Sequence, residues 1–382
     1  MAQNSILQTV RRGFGIIVQA VRIPVLAVLT AVIVGSIFML ANGFNPLAAY
    51  SGLADGAFGS PRGVSRTILN AVPFVFAGLS VAFAFKGGLF NIGAEGQLFM
   101  GAVSAAAVGV LISGLPPILH LTLAIVAGFL GGALWGAIPG ALKAYTGAHE
   151  VITTIMFNFI GIILAGWLVS QGGGNQRPGP LRDPNPANIV ARTERVAESA
   201  RLPVLFEWGE PIHFGVILAL LTAAFIWWLV WKTPFGFELR MVGLNPAAAR
   251  YAGVNVPRTT ILTMVIAGGL AGLAGAVETL GRNHYFAPNF NVGYGFDSIA
   301  IALLGQTHPV GVVLASILFG AMNAGTARMQ LSAGVPAEII KVVQALILAF
   351  VAASEIIRYI YRLRATDADE EQTTFSAGWG QR

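Results

Sequence analysis

The chain contains no cysteine in 382 residues, which excludes disulfides, iron–sulfur clusters and thiolate metal sites. It has little charge. Asp, Glu, Lys and Arg make up 10% of it, against roughly a quarter in a soluble domain. With 55% hydrophobic residues and a mean hydropathy of +0.72, that shortage excludes a water-soluble globular domain. Histidine is scarce, five in all, and no carboxylate or second histidine stands at ligand spacing from His308, so no metal site is expected. No G-x-x-x-x-G-K-[ST] loop occurs, and the chain therefore has no phosphate cradle of its own. Nor does it show the paired carboxylates or His-rich set that an integral-membrane enzyme needs, and it is not expected to be an enzyme.

What is abundant is apolar sequence in runs of spanning length. The runs are Pro24–Ala41, Thr67–Phe85, Ile92–Ile112, Ile118–Pro139, Val151–Ser170, Ile212–Trp231, Thr259–Leu280, Phe296–Gly305, Pro309–Ala327 and Pro336–Ile357. They predict an all-α polytopic membrane protein with about ten transmembrane helices. The eighth run is too short to cross a hydrocarbon core as a straight helix and is bracketed by Gly293, Gly295 and Gly305; it reads as a broken or partly re-entrant helix inside protein. The 47 glycines suit close helix packing in lipid. GGLAGLAGA, with Gly268, Gly272 and Ala276 at four-residue spacing, predicts one tight contact.

The net charge of +6 and pI near 9.9 would point to nucleic acid in a soluble protein. Here the positive residues flank apolar runs and read as topology signals, and no nucleic-acid partner is expected. Arg11, Arg12, Arg22, Lys86, Lys143, Lys232, Arg240, Arg250, Arg258, Arg358, Arg362 and Arg364 all fall on one side when ten crossings are counted, so both termini are expected in the cytoplasm. The predicted organisation is a cytoplasmic segment 1–23, a transmembrane domain 24–360 with an external loop 171–211 and a cytoplasmic loop 232–258, and a disordered cytoplasmic tail 361–382.

The cytoplasmic loop carries a complete short-helix signature. Asn245 is a good N-cap, Pro246 fits the first helical position, Ala247 favours helix, and Gly253 supplies a left-handed stop. Such a helix, presenting Arg250 and Tyr251 between two spans, suits docking on a soluble protein; an ordinary structured loop is the plainer reading. A second polar stretch, Lys86 to Ala102, sets Asn91, Glu95 and Gln97 among glycines where the third span begins. It reads as a gate or coupling element, or as a turn whose polar groups cap the helix. Asn158, on an otherwise apolar helix, is a candidate for the translocation path or for an interhelical hydrogen bond. Glu278 and Asp297 should face the outer half, and Gln306, Thr307 and His308 the cytoplasmic exit. Tyr285, Phe286, Tyr294 and Phe296 are candidates to stack a base or sugar, or to form the interfacial aromatic belt.

GLFNIGAEGQLFMGA (88–102), AHEVITTIMFNFI (148–160), FGFELRMVGLNPAAARYAGV (235–254) and YGFDSIAIALLGQTHPVGVVLASILFGAMNAG (294–325) together resemble the permease subunits of ABC importers for simple sugars and nucleosides, in the branched-chain amino acid and ribose permease superfamily. The resemblance covers the chain from about Thr67 to Ala353 and is nearest to the nucleoside-type permeases. It implies a type II ABC importer permease fold in the cell membrane. The segment Gly243, Leu244, Asn245, Pro246, Ala247, Arg250, Tyr251 and Gly253 would be the coupling helix, resting on a cytoplasmic ABC ATPase. ATP and Mg would sit on that ATPase, with no cofactor on this chain. The other implied partners are an extracytoplasmic substrate-binding protein or lipoprotein, a second related permease or a second copy of this chain, and the lipid bilayer. A proton- or sodium-coupled secondary transporter is the competing reading; it needs a buried ion site at mid-membrane, whereas the acidic groups here cluster near span ends.

Overall fold

A computed structural model of the chain describes residues 2–172, 177–185, 189–288, 293–353 and 360–361. Among them are thirteen α-helices: α1 (Ala2–Ala41), α2 (Pro46–Phe58), α3 (Pro61–Lys86), α4 (Ala94–Leu111), α5 (Pro117–Thr146), α6 (Glu150–Leu168), α7 (Gly215–Lys232), α8 (Pro234–Leu244), α9 (Pro246–Tyr251), α10 (Val256–Glu278), α11 (Tyr294–Leu304), α12 (Pro309–Ala333) and α13 (Glu338–Ala352). An antiparallel hairpin, β1 (Val204–Trp208) and β2 (Glu210–His213), lies between α6 and α7. Eight helices are long and apolar enough to cross a membrane, and α11 is a shorter apolar helix. All ten apolar runs correspond to helices.

The helix ends follow local chemistry. Pro61 opens α3 behind Ser60, whose hydroxyl accepts the Gly63 N–H, and Pro117 opens α5, which closes on Gly147 at φ +71°. Proline costs nothing where the first-turn N–H has no helical partner, and glycine accepts the left-handed stop.

The chain divides into two compact units, Ala54–Gly325 and Met1–Leu53 with Thr326–Arg382. In the first, α3 and α10 form the centre: 94% of the apolar window of α3 is buried, against 22% for α6 and 28% for α5 and α7. The peripheral helices turn Ile, Leu, Phe and Trp outward, as lipid-facing helices do. The predicted small-residue contact joins α10 to α5. A Cβ on Gly132 would lie 2.2 Å from the Gly268 carbonyl oxygen, and one on Gly272 2.3 Å from that of Gly128. With lipid outside, such backbone approach and its dispersion contacts drive association, so any side chain here would separate the pair. In the second unit, Gly35 on α1 fits against Val343 of α13, and the Tyr50 hydroxyl donates to the Val32 carbonyl at 3.0 Å.

Three features differ from the sequence reading. Helix α2 lies in a stretch without a spanning run. The hairpin makes the fold not wholly helical, and the sixth run starts as helix only at Gly215, because Ile212 and His213 pair in β2 with Phe206 and Val204. Helix also extends back through the predicted N-terminal segment. The tail beyond Tyr361, and Arg358, Arg362 and Arg364, lie outside the described residues.

Candidate functional site

Four of the six predicted gate residues meet in one buried cluster. The chain leaves α3 at Lys86, turns through Gly87 and Gly88 (φ +73°) and runs back beside α3 before α4 begins. Asn91 and Gln97 exchange two amide hydrogen bonds, at 2.8 and 2.9 Å, and Asn91 also donates to the Ser80 hydroxyl at 3.2 Å. Asn158 reaches in from α6: its amide donates to the Ile92 carbonyl at 2.6 Å, and its oxygen accepts the Gly96 N–H at 2.7 Å. A Cβ on Gly96 would lie 2.8 Å from Asn158 Cα, so glycine there is what lets α6 approach. Asn91, Glu95, Gln97 and Asn158 are all at most 1% exposed. Each satisfies groups that lipid would leave unpaired.

Glu95 ties this cluster to α11. Its two carboxyl oxygens accept the N–H groups of Gly293 and Gly295 at 2.6 and 2.5 Å, where α11 begins. A carboxylate at a helix N-terminus satisfies orphan donors and faces the positive end of the helix dipole. Gly295 is compelled by the contact, because a Cβ there would lie 2.2 Å from the Glu95 nitrogen. The sequence placed Glu95 at a span end; the structure places it against another helix, since α4 starts only after the chain has climbed beside α3.

The depth of that meeting follows from α3. Tyr294 packs against Phe74, ring centroids 4.6 Å apart and tilted by 38°, and at 1.5 Å per residue Phe74 is about 18 Å from the Lys86 end. The opposite end of α11 returns to Lys86: Thr307 lines a small cavity with Lys86 and Trp231, whose ring is 5.1 Å from that of His308. Helix α11, with 11 residues, is therefore a half-length helix of roughly 16 Å, in keeping with the broken-helix expectation. It ends on Gln306 and Thr307, both at φ +52°, a conformation uncommon for residues other than glycine, asparagine and aspartate and an outlier for β-branched Thr307. Asp297 sits in the first turn of α11 and Gln306 beyond its last, so these two candidates are separated by the helix length.

On the far side of the Lys86 turn lies the capped helix. The Asn245 side chain accepts the N–H groups of Ala247 and Ala248, both at 3.0 Å, Pro246 opens α9, and Gly253 stands at φ +88°. Tyr251 is 97% exposed and Leu244 62%. Arg250 is also exposed. Gly243, at the end of α8, is pressed against the turn: a Cβ on it would meet the Lys86 carbonyl oxygen at 2.2 Å. Helix α8, which leads into α9, thus leans directly on the segment that leads to Asn91 and Glu95.

The predicted aromatics separate. Phe286 is fully buried, packs edge-on against Phe99 at 6.1 Å and exchanges hydrogen bonds with Thr193, so its ring belongs to the core. Tyr285 lies under the Arg192 guanidinium, 5.1 Å from ring centroid to charge. Phe296 is exposed. Tyr294 stands beside a polar group that the sequence reading did not assemble: Asn70 of α3, Glu278 of α10 and Arg282, which donates to the Asn70 oxygen at 2.8 Å and lies 3.5 Å from the Glu278 carboxyl. Glu278 and Arg282 are four apart, a same-face helical pair at the end of an apolar run, and that spacing was the available signal. Nothing in the sequence marks Asn70 as the partner of Arg282, or Ser80 as that of Asn91. Arg282 sits in a π-turn, Thr279–Asn283, that ends α10; such turns are frequent at functional sites.

The profile of the protein family described as "Branched-chain amino acid transport system / permease component" matches residues 63–352. The "Guanosine ABC transporter permease protein NupP" of Bacillus subtilis is 41% identical, over 88% of this chain and 94% of its own. The "Nucleoside ABC transporter permease protein NupB" of Lactococcus lactis is 35% identical, over 92% and 96%. The "Glucose ABC transporter permease protein TsgB13" of Haloferax volcanii is 33% identical, over 93% and 94%.

Proposed function

The chain belongs to the branched-chain amino acid transport system permease family, and we propose that it is the membrane-spanning subunit of an ATP-driven importer that moves nucleosides into the cell by alternating access. The similarity to permeases named for guanosine and nucleosides supports that cargo. A simple sugar is the second reading, favoured by the relative named for glucose. None of these relatives is named as an ion-coupled carrier, and the secondary-transporter reading has no support.

The observation that carries the mechanism is the seat of α9. A capped helix with Tyr251 97% exposed offers a soluble partner a rigid face, and it follows directly on α8, whose Gly243 carries its position by backbone contact to the Lys86–Gly88 turn. In this reading the Lys86 end faces the cytoplasm, as do both termini. An ABC ATPase holding ATP and Mg docks on α9, and an extracytoplasmic binding protein delivers cargo at the Arg282 end. A second permease, related or identical, completes the path. ATP-driven closure of the ATPases favours one side's opening only through differential affinity for the two states. The half-helix α11 is the element suited to respond, since its N-terminus hangs on Glu95, on the segment that leaves the turn α8 touches.

The test is purification of the tagged chain from its native membrane in mild detergent, with identification of what accompanies it. A P-loop ATPase should co-purify, and be lost when Asn245 to Gly253 becomes a Gly/Ser linker while the permease stays monodisperse. Recovery of the chain alone, taking up solute on an ion gradient without ATP, would overturn the proposal.

A further inference from the structure

The polar group at the Arg282 end differs from the buried cluster in that its donors are not used up. Arg282 engages Asn70 and Glu278 through Nη1 alone; among the described residues Nε and Nη2 donate to nothing. Its side chain is 33% exposed, at the end of a spanning helix where a charged head can remain accessible. The Tyr294 hydroxyl, within electrostatic reach of Glu278 and Arg282, likewise makes no hydrogen bond among the described residues. Its ring is tilted by 38° against that of Phe74, which is itself fully buried, while Tyr294 remains partly open. The guanidinium is aimed and braced by an amide and a carboxyl, and its free edge is left beside an aromatic ring.

We propose that Asn70, Phe74, Glu278, Arg282 and Tyr294 form a cargo-reading site in the outer half of the permease. It recognises a purine nucleoside that carries a carbonyl at C6. The planar fork of Arg282 matches the paired acceptors O6 and N7 of such a base, a geometry that a point-charge ammonium does not reproduce. Tyr294, backed by Phe74, supplies a stacking platform for the ring. Asn70 and Glu278 are positioning residues that hold the fork by Nη1 and leave Nε and Nη2 to the cargo. A sugar lacks both the flat face and the paired in-plane acceptors. This inference rests on the nucleoside-importer reading and adds which base the permease itself prefers.

The experiment is uptake by the complete importer, with ATPase, partner permease and binding protein, reconstituted in proteoliposomes. The cargoes are inosine, which has the C6 carbonyl, and purine riboside, which lacks it but stacks as well. Discrimination by the binding protein cancels when the inosine-to-purine-riboside ratio is compared between wild type and variant. Arg282→Gln should lower that ratio by roughly tenfold or more, since a site built to hydrogen-bond a group loses its preference with the donor. Arg282→Lys, which retains charge beside Glu278, should lower it nearly as far and serves if the Gln variant does not assemble. Tyr294→Leu should reduce uptake of both nucleosides alike. An unchanged ratio in both Arg282 variants, with both cargoes falling together or neither falling, would overturn the site and make Arg282 a structural residue. A wild-type complex that takes up glucose or ribose but no nucleoside would instead overturn the cargo reading beneath it, and this is visible before any variant is made.

Discussion

Two polar clusters sit in the same apolar bundle and are built from similar residues, yet they are finished differently. In the inner one, Asn91, Gln97, Asn158, Ser80 and Glu95 are at most 1% exposed, and each finds a hydrogen-bond partner in another of them or in backbone. In the outer one, Asn70 and Glu278 are buried but Arg282 and Tyr294 are partly open and keep donors in reserve. Desolvation in lipid penalises an unpaired group by several kcal/mol, so closure is the expected state of the buried cluster, whereas Arg282, one-third exposed, can keep donors open to an incoming ligand. The inner cluster therefore acts as a clasp between α4, α6 and α11, and the outer one as a receptor.

The comparison breaks first at Glu95. Glu95→Ala leaves the N–H groups of Gly293 and Gly295 buried without acceptors, at about 1–3 kcal/mol each. The variant should show a large fall in melting temperature and in monodisperse yield, whereas Arg282→Gln should change melting temperature far less while altering cargo preference. Equal thermal losses in the two would remove the distinction between clasp and receptor.

A pH titration sharpens it next. His213, at the tip of β2 and outside the spans, has its pKa pushed down to about 4, by burial first and by the charge of Arg282 second. Its neutral Nδ1 accepts the Gly215 N–H at 3.1 Å. The folded state thus keeps the neutral ring while the unfolded chain begins to take up protons near 6.5. Stability should be flat above that pH and fall as pH drops from about 6.5 towards 4. His213→Asn, which retains an acceptor without a titrating ring, should flatten this limb of the melting-temperature profile. A profile unchanged by the substitution would show that the acid loss arises elsewhere.

A smaller effect is expected within the clasp. Asn91→Ala and Gln97→Ala should each destabilise, and the double variant should cost less than their sum, with a coupling of about 1–2 kcal/mol in a double-mutant cycle. Simple additivity would mean that the two amides act independently. Smallest is the cap: Asn245→Ala should cost about 1 kcal/mol of α9. It is expected to weaken ATPase retention several-fold in a pull-down with no change in melting temperature of the spans; undiminished retention would mean that α9 is held by its packing on α8 and not by its cap.

Much of this was legible in the sequence because membranes make some signals local. Apolar length alone marked all ten helical runs, since a lipid-spanning segment must satisfy its backbone internally. The Asn245–Pro246 start and Gly253 stop of α9 are likewise chemistry among near neighbours, and the GGLAGLAGA contact is a property of one helix face. The hairpin was not legible: Val204–Trp208 is exposed at every position, so no alternation of burial set it apart. Helix α2 was hidden because 13 residues of mixed character resemble a loop by length.

By itself, then, the sequence determined the membrane class, the order of the spanning helices, the broken eighth run and the short capped helix, because each depends on residues within a few positions of one another. The tertiary structure alone decided what the polar residues do. That Glu95 holds the start of α11, nearly two hundred residues away, and that Arg282 is braced by Asn70, are consequences of which helices meet and at what depth. Burial of every donor or reserve of a few is settled only when the partners arrive in three dimensions.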